Sequence, residues 1–471
     1  MMDRIILYGA GNRCRQLIES LTAIEQNIYA VVDSNQNKWD SDIEGIKIQS
    51  PEILYHNRDA IVCVTFFSQK LNETIWEDLK NKYGLLHLAS FHELLLMAYT
   101  EWIDNSIIKK NFCVSDKIYL DGSWHLNLGG VETWLVDTEN YFRTYGINKS
   151  YLVTEKSNPR LSNINSDYII DFSLIDNSYY SKDNIIKALS FLMIEAPDTI
   201  IFAKPDEMLL AACLINHKYD NKINIIMSVH NCIDGMYRDI LSYDRYINSY
   251  LCVNSEICRY FEKHSKKKKS TYLLYIPVKY QCSLKRGYTL DHNKPLQIGY
   301  AGRLENEQKR VDLLLKVIKI LEDHKVNFVM HIAGEGSRLL DIEEFIAGYN
   351  YDNIIMMGLI ENDKMIEFWK EQDISINISD FEGRSLSNIE AMIAGAVPVV
   401  TDIPGNLEDV HDKKNGYVVP IGDYTSCAEK IEYLSDNREC LKKMGQMAQK
   451  EIISKNNIND YIDMWKTVIY R

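Results

Sequence analysis

Apolar strands that run into glycine turns and then into helices begin at three places along this chain. The first occupies residues 4–11, the second begins at residue 117, and the third occupies residues 296–303. Further strands and helices alternate after each start, a pattern typical of parallel sheets covered by helices on both faces. The sequence therefore predicts an α/β chain of 471 residues with three Rossmann-like units, the first smaller than the other two.

Composition and charge exclude several classes of protein. Hydrophobic residues make up 46% of the chain and charged residues 25%, as in ordinary globular proteins. The net charge of -13 argues against nucleic acid as a partner. No apolar run approaches the ~20 residues that a membrane span needs. The N-terminus leads directly into a strand, so we expect no signal peptide. The 10 scattered cysteines indicate reduced thiols in a cytoplasmic protein.

The segment 381–400 combines a polar turn, an apolar helix and a strand, and it carries two glutamates eight residues apart. Glu382 precedes the predicted helix, and Glu390 lies about two turns into it. A helix N-terminus presents free amide groups and the positive end of the helix dipole, which suits a phosphate. The two carboxylates are therefore placed to hold two ends of one elongated anionic ligand.

The loop after the first strand of the third unit carries two cations, Arg303 and Lys309. It follows a strand's carboxyl end, where α/β sheets bind ligands. Two cations there would neutralise a diphosphate and stabilise it as a leaving group. Taken alone, the loop is more simply explained as a solvated connection. The glycine turn at residues 333–337 is, by itself, also explained as a plain connection.

The order of these motifs resembles the retaining glycosyltransferases of the GT-B fold, family four. The resemblance covers about residues 115–471 and rests on the segments 129–132, 302–312, 333–336, 381–395 and 415–419. It implies two Rossmann-like domains in a GT-B arrangement that close over donor and acceptor. The predicted divisions are a small Rossmann-like domain (1–110), an acceptor-side domain (111–285), a nucleotide-sugar donor domain (286–455) and a terminal helix (456–471) that packs back on the acceptor-side domain.

The resemblance implies a role for each matching residue of the donor domain. Glu390 would hydrogen-bond the ribose, Glu382 the hydroxyls of the donor sugar, and Arg303 and Lys309 would bind the diphosphate. The remaining predicted donor-binding positions of this domain lie beside these residues and include backbone amides at the helix N-terminus: Gly302, Gly383, Arg384, Ser385 and Leu386.

The acceptor-side domain is expected to contribute three residues to the same site. Gly129 and Gly130 would let the backbone approach the phosphates or sugar closely. His230 lies at the end of a predicted strand and matches a family histidine near the donor sugar. A lone histidine at such a position is otherwise explained by a structural role.

Two departures from the family pattern leave the donor's identity open. Arg303 and Lys309 are one residue further apart than in many members, and Arg384-Ser385 replaces the common Phe-Gly pair. Arg384 would then meet a donor carboxylate, an acidic acceptor or the diphosphate, or it would be an ordinary surface residue.

The reaction implied by the resemblance is a metal-independent, retaining transfer of a hexosyl group. Its donor is a nucleoside diphosphate sugar, with UDP favoured, and its acceptor is a glycan, a lipid-linked molecule or a protein, in bacterial surface glycan or glycoconjugate synthesis. No cofactor and no metal site are expected. The alternative is a non-catalytic nucleotide-sugar-binding scaffold that retains the fold.

The first unit carries a weak dinucleotide-type signal. Gly9 and Gly11 form a Gly-x-Gly turn without the third glycine, and Asp33 follows Gly11 by 22 residues, as a ribose-binding acid would. Residues 1–100 look like the small nucleotide-sugar domain of some sugar acyltransferases. The unit is predicted to bind a nucleotide or nucleotide sugar, to serve as a structural or interaction module, or to help recognise the acceptor. An oxidoreductase would need a catalytic Tyr-Lys or Cys pair, which the sequence does not suggest.

Residues 263–269 form a basic cluster, from Lys263 to Lys269, in an otherwise acidic protein. The cluster is explained either as a solvated loop or as a contact with the anionic inner face of a membrane, where a lipid-linked acceptor would be found.

Overall fold

The computed structural model describes residues 4–66, 73–104, 112–123, 130–156, 165–175, 179–266, 270–277 and 287–470. It confirms the predicted fold class, because the strands form three sheets in which nearly all neighbouring pairs are parallel. We call these sheets and their helices the first, second and third units, in chain order.

The first unit has a six-stranded sheet in which only the short pair β3–β4 is antiparallel. Its central strands are buried runs of Ile, Val and Leu, as expected for a sheet covered on both faces. The sheet order is β3-β4-β2-β1-β5-β6. The elements are β1 (Ile5–Tyr8), α1 (Asn12–Ala23), β2 (Ile28–Val32), β3 (Asp42–Ile43), β4 (Ile46–Gln49), β5 (Ile61–Val64), α2 (Glu73–Tyr83), β6 (His87–Ser90) and α3 (Phe91–Asp104).

The second unit has a seven-stranded parallel sheet of order β13-β12-β11-β10-β7-β8-β9. The order changes direction between β7 and β10, which marks a ligand-binding edge in open α/β sheets. The elements are β7 (Ser115–Asp121), α4 (Gly130–Thr144), β8 (Ser150–Thr154), β9 (Ile169–Asp171), α5 (Lys182–Glu195), β10 (Pro197–Phe202), α6 (Glu207–Tyr219), β11 (Asn224–Val229), α7 (Asp234–Leu241), β12 (Ser249–Cys252), α8 (Ser255–His264) and β13 (Ser270–Leu273).

The third unit has a six-stranded parallel sheet of order β16-β15-β14-β17-β18-β19, so that β14 and β17 are neighbours. The elements are β14 (Leu296–Ala301), α9 (Val311–Asp323), β15 (Phe328–Ala333), α10 (Leu339–Tyr349), β16 (Ile354–Gly358), α11 (Met365–Lys370), β17 (Ile374–Asn377), α12 (Leu386–Ile393), β18 (Val397–Thr401), α13 (Pro404–Leu407), β19 (Tyr417–Val419), α14 (Tyr424–Asp436) and α15 (Arg438–Lys455).

The last helix, α16 (Ile458–Ile469), leaves the third unit and packs against α4 of the second. The indole of Trp134 donates to the Tyr461 hydroxyl at 3.0 Å, and Thr138 hydrogen-bonds the same hydroxyl at 2.7 Å. Trp465 is fully buried between Trp134 and Phe142. The chain therefore crosses between the second and third units twice, before residue 287 and again after α15.

The first unit shares a continuous hydrophobic core with the second rather than forming an independent body. Residues of α1 and α3 belong to the same buried cluster as the helices of the second unit. Polar contacts reinforce this interface: Ser20 donates to the Tyr180 carbonyl at 2.6 Å, His92 hydrogen-bonds Tyr243 at 3.0 Å, and Arg13 pairs with Asp239 at 3.1 Å.

The packing of α16 generates a stability prediction. Trp465→Ala removes a fully buried aromatic side chain and should lower the free energy of unfolding by about 3–5 kcal/mol. Tyr470→Ala, which truncates an exposed ring beside the same helix, is the control. Urea denaturation followed by tryptophan fluorescence would measure both; equal midpoints for the two variants would contradict the packing described here.

Candidate functional site

The third unit brings two predicted loops together because β14 and β17 are adjacent parallel strands. The loop after β14 carries Arg303 and Lys309, and the loop after β17 carries Glu382. The backbone amide of Asp380 donates to the Gln308 carbonyl at 2.9 Å, and the Gln308 amide group donates to the Phe381 carbonyl at 2.9 Å. The two loops thus form one surface at the carboxyl edge of the sheet.

Glu382 and Lys309 are direct partners on this surface. The Lys309 ammonium lies 2.5 Å from Glu382 Oε1, which also accepts from the Ser379 hydroxyl at 2.8 Å. Glu382 is only 7% exposed. A buried carboxylate needs a countercharge and hydrogen bonds, and these contacts supply them. The group predicted to hold the sugar is therefore paired with a group predicted to hold the diphosphate.

Gln308, which was not among the residues predicted from the sequence, connects this pair to Arg303. Arg303 donates to Gln308 Oε1 at 2.6 Å, while Gln308 Nε2 lies 3.2 Å from Glu382 Oε2. The guanidinium of Arg303 remains largely exposed, with 60% of its side chain accessible. The signal available in the sequence was the position of Gln308 beside Lys309, in a loop one residue longer than the family pattern.

Helix α12 begins at Leu386, and the Ser385 hydroxyl caps it by accepting from the Asn388 amide at 3.3 Å. Glu390 is half-buried on the second turn, slightly closer to the helix start than the predicted two turns. The helix N-terminus, with the positive end of its dipole, therefore adjoins Glu382 as the sequence indicated.

The glycine turn after β15 supports the Arg303 loop through backbone contact. A Cβ on Gly334, whose φ is +138°, would lie 1.9 Å from the Gly302 carbonyl oxygen, and one on Gly336 would lie 2.3 Å from that of Leu304. The Gly302 amide donates to the Ala333 carbonyl at 3.1 Å. This turn is more than the plain connection that its sequence suggests, because the loop carrying Arg303 rests on it.

The second unit meets this surface at Gly383. A Cβ on Gly383 would lie 1.6 Å from the His230 carbonyl oxygen, so the two backbones are in contact. Asn254 reinforces the approach by donating to the Gly383 carbonyl at 2.6 Å. Gly130, the first residue of α4, lies against the Leu386 side chain. Gly129 lies outside the described residues.

His230 is buried at the end of β11, against the indole of Trp134, with ring centroids 4.3 Å apart. Its Nε2 hydrogen-bonds the Ser228 hydroxyl at 2.8 Å. Burial lowers the pKa of His230 to about 3, so the ring is neutral at physiological pH. In this neutral state one ring nitrogen of His230 can donate a hydrogen bond and the other can accept one.

Arg384 is not a surface residue, and its partner is a carboxylate of the protein itself. Its guanidinium forms a bidentate pair with Asp409, at 2.7 and 2.6 Å, and its side chain is fully buried. The sequence missed this because Asp409 is 25 residues away and nothing in the local pattern links the two. Arg384 remains a predicted donor-binding position only through its backbone.

In the predicted nucleotide site of the first unit, the Asp33 carboxylate is hydrogen-bonded by other groups of the same unit. Gly9, with φ +105°, leads into the turn, and the Ala10 amide donates to Asp33 Oδ2 at 2.8 Å. Lys38 lies 2.9 Å from the same oxygen. Burial opposes ionisation of Asp33, but the Asn35 amide, Lys38 and the Ala10 amide outweigh it and hold the pKa of the carboxyl below its usual value. Gly11 and Asp33 remain predicted, untested nucleotide ligands.

Among the described residues, no group of three or more His, Cys, Asp or Glu side chains is arranged to hold a metal ion. None of the described helices combines the length and apolarity required to cross a bilayer. Nine cysteines fall within the described part of the chain, and all are free thiols.

Residues 285–451 match the family model described as glycosyl transferases group 1, and residues 1–85 match one described as C2185-like, N-terminal. The chain is 31% identical over 185 residues to the poly(ribitol-phosphate) alpha-N-acetylglucosaminyltransferase of Staphylococcus aureus (strain COL). That alignment covers 37% of this chain and 36% of the relative. The chain spans less than half the length of the curated relatives it matches.

Two solved structures share the architecture. TarM of S. aureus superposes with a TM-score of 0.54 at 16% identity, covering 100% of this chain and 99% of TarM. Anabaena HepE, solved with UDP and glucose, gives a TM-score of 0.62 at 12% identity over 75% of this chain and 99% of HepE. These likenesses show the fold, and they confirm the GT-B arrangement that the sequence predicted.

The Gly383 contact generates a conformational prediction. Gly383→Ala should force the second and third units apart, because the new Cβ meets a backbone atom that cannot rotate away. We expect a larger radius of gyration by small-angle X-ray scattering. Gly348→Ala, at a helical glycine with open space around its Cβ position, is the control. An unchanged scattering curve for Gly383→Ala would contradict the close contact.

The buried neutral ring of His230 generates a pH prediction. The unfolded chain takes up a proton near pH 6.5, whereas the folded chain does so only near pH 3. Stability should therefore fall as the pH drops below 6.5, and His230 should contribute about 2 kcal/mol of this loss between pH 7 and 5. His230→Gln should remove this part of the loss, whereas His87→Gln, at an exposed site, should not. Parallel profiles for all three proteins would refute the assignment.

Proposed function

Because residues 285–451 are a glycosyl transferases group 1 domain, we propose that this chain transfers a sugar from a nucleoside diphosphate to a glycan acceptor in bacterial surface glycan synthesis. The observation that carries the proposal is the Lys309–Glu382 pair, beside Arg303 and a helix N-terminus and against the second unit. The S. aureus relative, a poly(ribitol-phosphate) alpha-N-acetylglucosaminyltransferase by name, supports the surface-glycan context.

The donor is proposed to lie along the loops after β14 and β17. Arg303 and Lys309 bind the diphosphate, Glu390 the ribose, and Glu382 the hydroxyls of the sugar. UDP is the favoured nucleotide, a choice supported by the UDP bound in the HepE structure. Charge supports the choice of a nucleotide sugar, because an anionic diphosphate matches two cations and the positive end of α12.

Donor binding is proposed to rearrange the Lys309–Glu382 pair. In the structure Lys309 neutralises Glu382; an incoming diphosphate would compete for that ammonium and release Glu382 toward the sugar. Breaking the anomeric C–O bond then places negative charge on the departing diphosphate, where Arg303 and Lys309 stabilise it more strongly than in the ground state.

The reaction is proposed to retain anomeric configuration and to need no metal, as the family resemblance implies. Neutral His230 would lie over the sugar from the opposite unit, and closure of the units would exclude water. No carboxylate is assigned as nucleophile, because Glu382 and Glu390 serve binding in this scheme.

The acceptor is proposed to bind the second unit, with the enzyme acting in the cytoplasm. Lys263 and Lys266 are exposed at and after the end of α8 and would contact an anionic membrane surface carrying a lipid-linked acceptor. Residues 267–269 of the basic cluster lie outside the described residues. A shift of the protein onto anionic vesicles, lost in a Lys263→Gln, Lys266→Gln variant, would support this part of the proposal.

Thermal-shift measurements against UDP-, GDP-, ADP- and CMP-sugars would identify the donor. A ligand at about 100 times its dissociation constant stabilises the folded protein by ~2.7 kcal/mol. The nucleotide sugar that stabilises the protein should also release its nucleotide when incubated with it. Binding without turnover for any acceptor would favour the scaffold alternative over an enzyme.

Variants of the Lys309–Glu382 pair should separate the effect on UDP binding from the effect on sugar transfer. Glu382→Ala frees Lys309 for phosphate, so UDP affinity should be retained or increased, while kcat falls on the order of 10²-fold. Lys309→Met should weaken UDP binding and reduce kcat as well. Glu361→Gln, at an exposed glutamate of the same unit, is the control. Wild-type kcat in Glu382→Ala would contradict the site.

A further inference from the structure

The two places where the chain crosses between the second and third units meet at one buried residue. The first crossing follows β13 and includes Tyr275 and Ile276, and the second follows α15 at Asn456. Asn456 is fully buried, and its side-chain amide donates to the Ile276 carbonyl at 2.7 Å. The two crossings are therefore tied to each other.

Arg384 joins this junction to the candidate donor site. Its Nη2 donates to Asn456 Oδ1 at 2.9 Å in addition to Asp409, and its guanidinium carbon lies 4.7 Å from the centre of the Tyr275 ring. Arg384 thus contacts both crossings. Along the chain it follows Gly383, which touches His230, and lies two residues after Glu382.

A second charged pair, Lys455 and Glu408, contacts the same junction. Lys455 lies 3.2 Å from both Glu408 and Asp409, and the Tyr275 hydroxyl donates to Glu408 Oε1 at 2.6 Å. Glu408 also accepts the Ser255 amide at the start of α8, at 2.8 Å. A relative movement of the two units would therefore break the contacts of Glu408, the chain neighbour of Asp409, with Tyr275 and Ser255.

We propose that Arg384 is a positioning residue that couples the approach of the second and third units to the placement of Glu382. This inference rests on the proposed function. A fully buried guanidinium bonded twice to Asp409 and once to Asn456 cannot reorient without breaking these bonds and leaving its own charge buried without a partner. The loop from Glu382 to Ser385 therefore moves together with the crossings, and the sugar-binding carboxylate reaches its working position when the units meet.

If Arg384 had a purely structural role, variants that recover stability would also recover activity. Replacing a buried ion pair with apolar side chains of similar size often preserves stability. The double variant Arg384→Met, Asp409→Leu should accordingly recover thermal stability lost by Arg384→Met alone. It would not restore the hydrogen bond to Asn456 that links the loop to the crossings.

The test compares Arg384→Met, the double variant and the control Arg438→Met. Arg438 is also buried in the third unit, where it bonds Ser435 and Thr289. The measurements are UDP affinity, kcat and KM for nucleotide release from UDP-glucose and UDP-N-acetylglucosamine, and the radius of gyration with and without UDP. Gly383→Ala supplies the scattering curve of separated units.

We expect both Arg384 variants to lose about 10²-fold in kcat with little change in UDP affinity. Their scattering curves should approach that of Gly383→Ala, while Arg438→Met keeps the wild-type curve. Wild-type kcat in the double variant, or unchanged scattering in both Arg384 variants, would overturn the inference. If the wild-type protein releases nucleotide from no sugar donor, the proposed function fails separately, and scattering alone still decides the coupling.

Discussion

The contact between the Gly383 backbone and the His230 carbonyl is the constraint on which the arrangement of the second and third units depends. No side chain fits between them, so the loop carrying Glu382 and the strand end carrying His230 meet directly. Asn254 bridges the same point. A cleft formed in this way brings groups from two sheets close enough to address one ligand from opposite sides.

Each unit brings a buried polar group to this contact and satisfies it with its own residues. His230 is driven to its neutral form by burial, and Glu382 stays buried because Lys309, Ser379 and Gln308 satisfy it. In the proposed donor site, the positive charge of Arg303 and Lys309 is present without a ligand, and Lys309 is paired with Glu382. Preorganised charge of this kind requires little rearrangement during a reaction.

Sequence patterns predicted the three parallel sheets and the loops that carry Arg303, Lys309 and Glu382, because strand–turn–helix alternation is a local signal. They did not predict Gln308 as a bridge or Asp409 as the partner of Arg384, since those contacts join segments distant in sequence. The turn at Gly334 and Gly336 looked like an ordinary connection for the same reason: its glycines are required by the neighbouring Gly302 loop, which only the fold reveals.

The shared core of the first and second units has a consequence for how this protein folds. Helices α1 and α3 share the hydrophobic interior of the second unit, so the apolar faces of these two helices are buried only when both units are folded. The buried faces of α1 and α3 therefore reach their final packing only when the second sheet is present. Folding of these two units should be a single cooperative event, even though their sheets are separate.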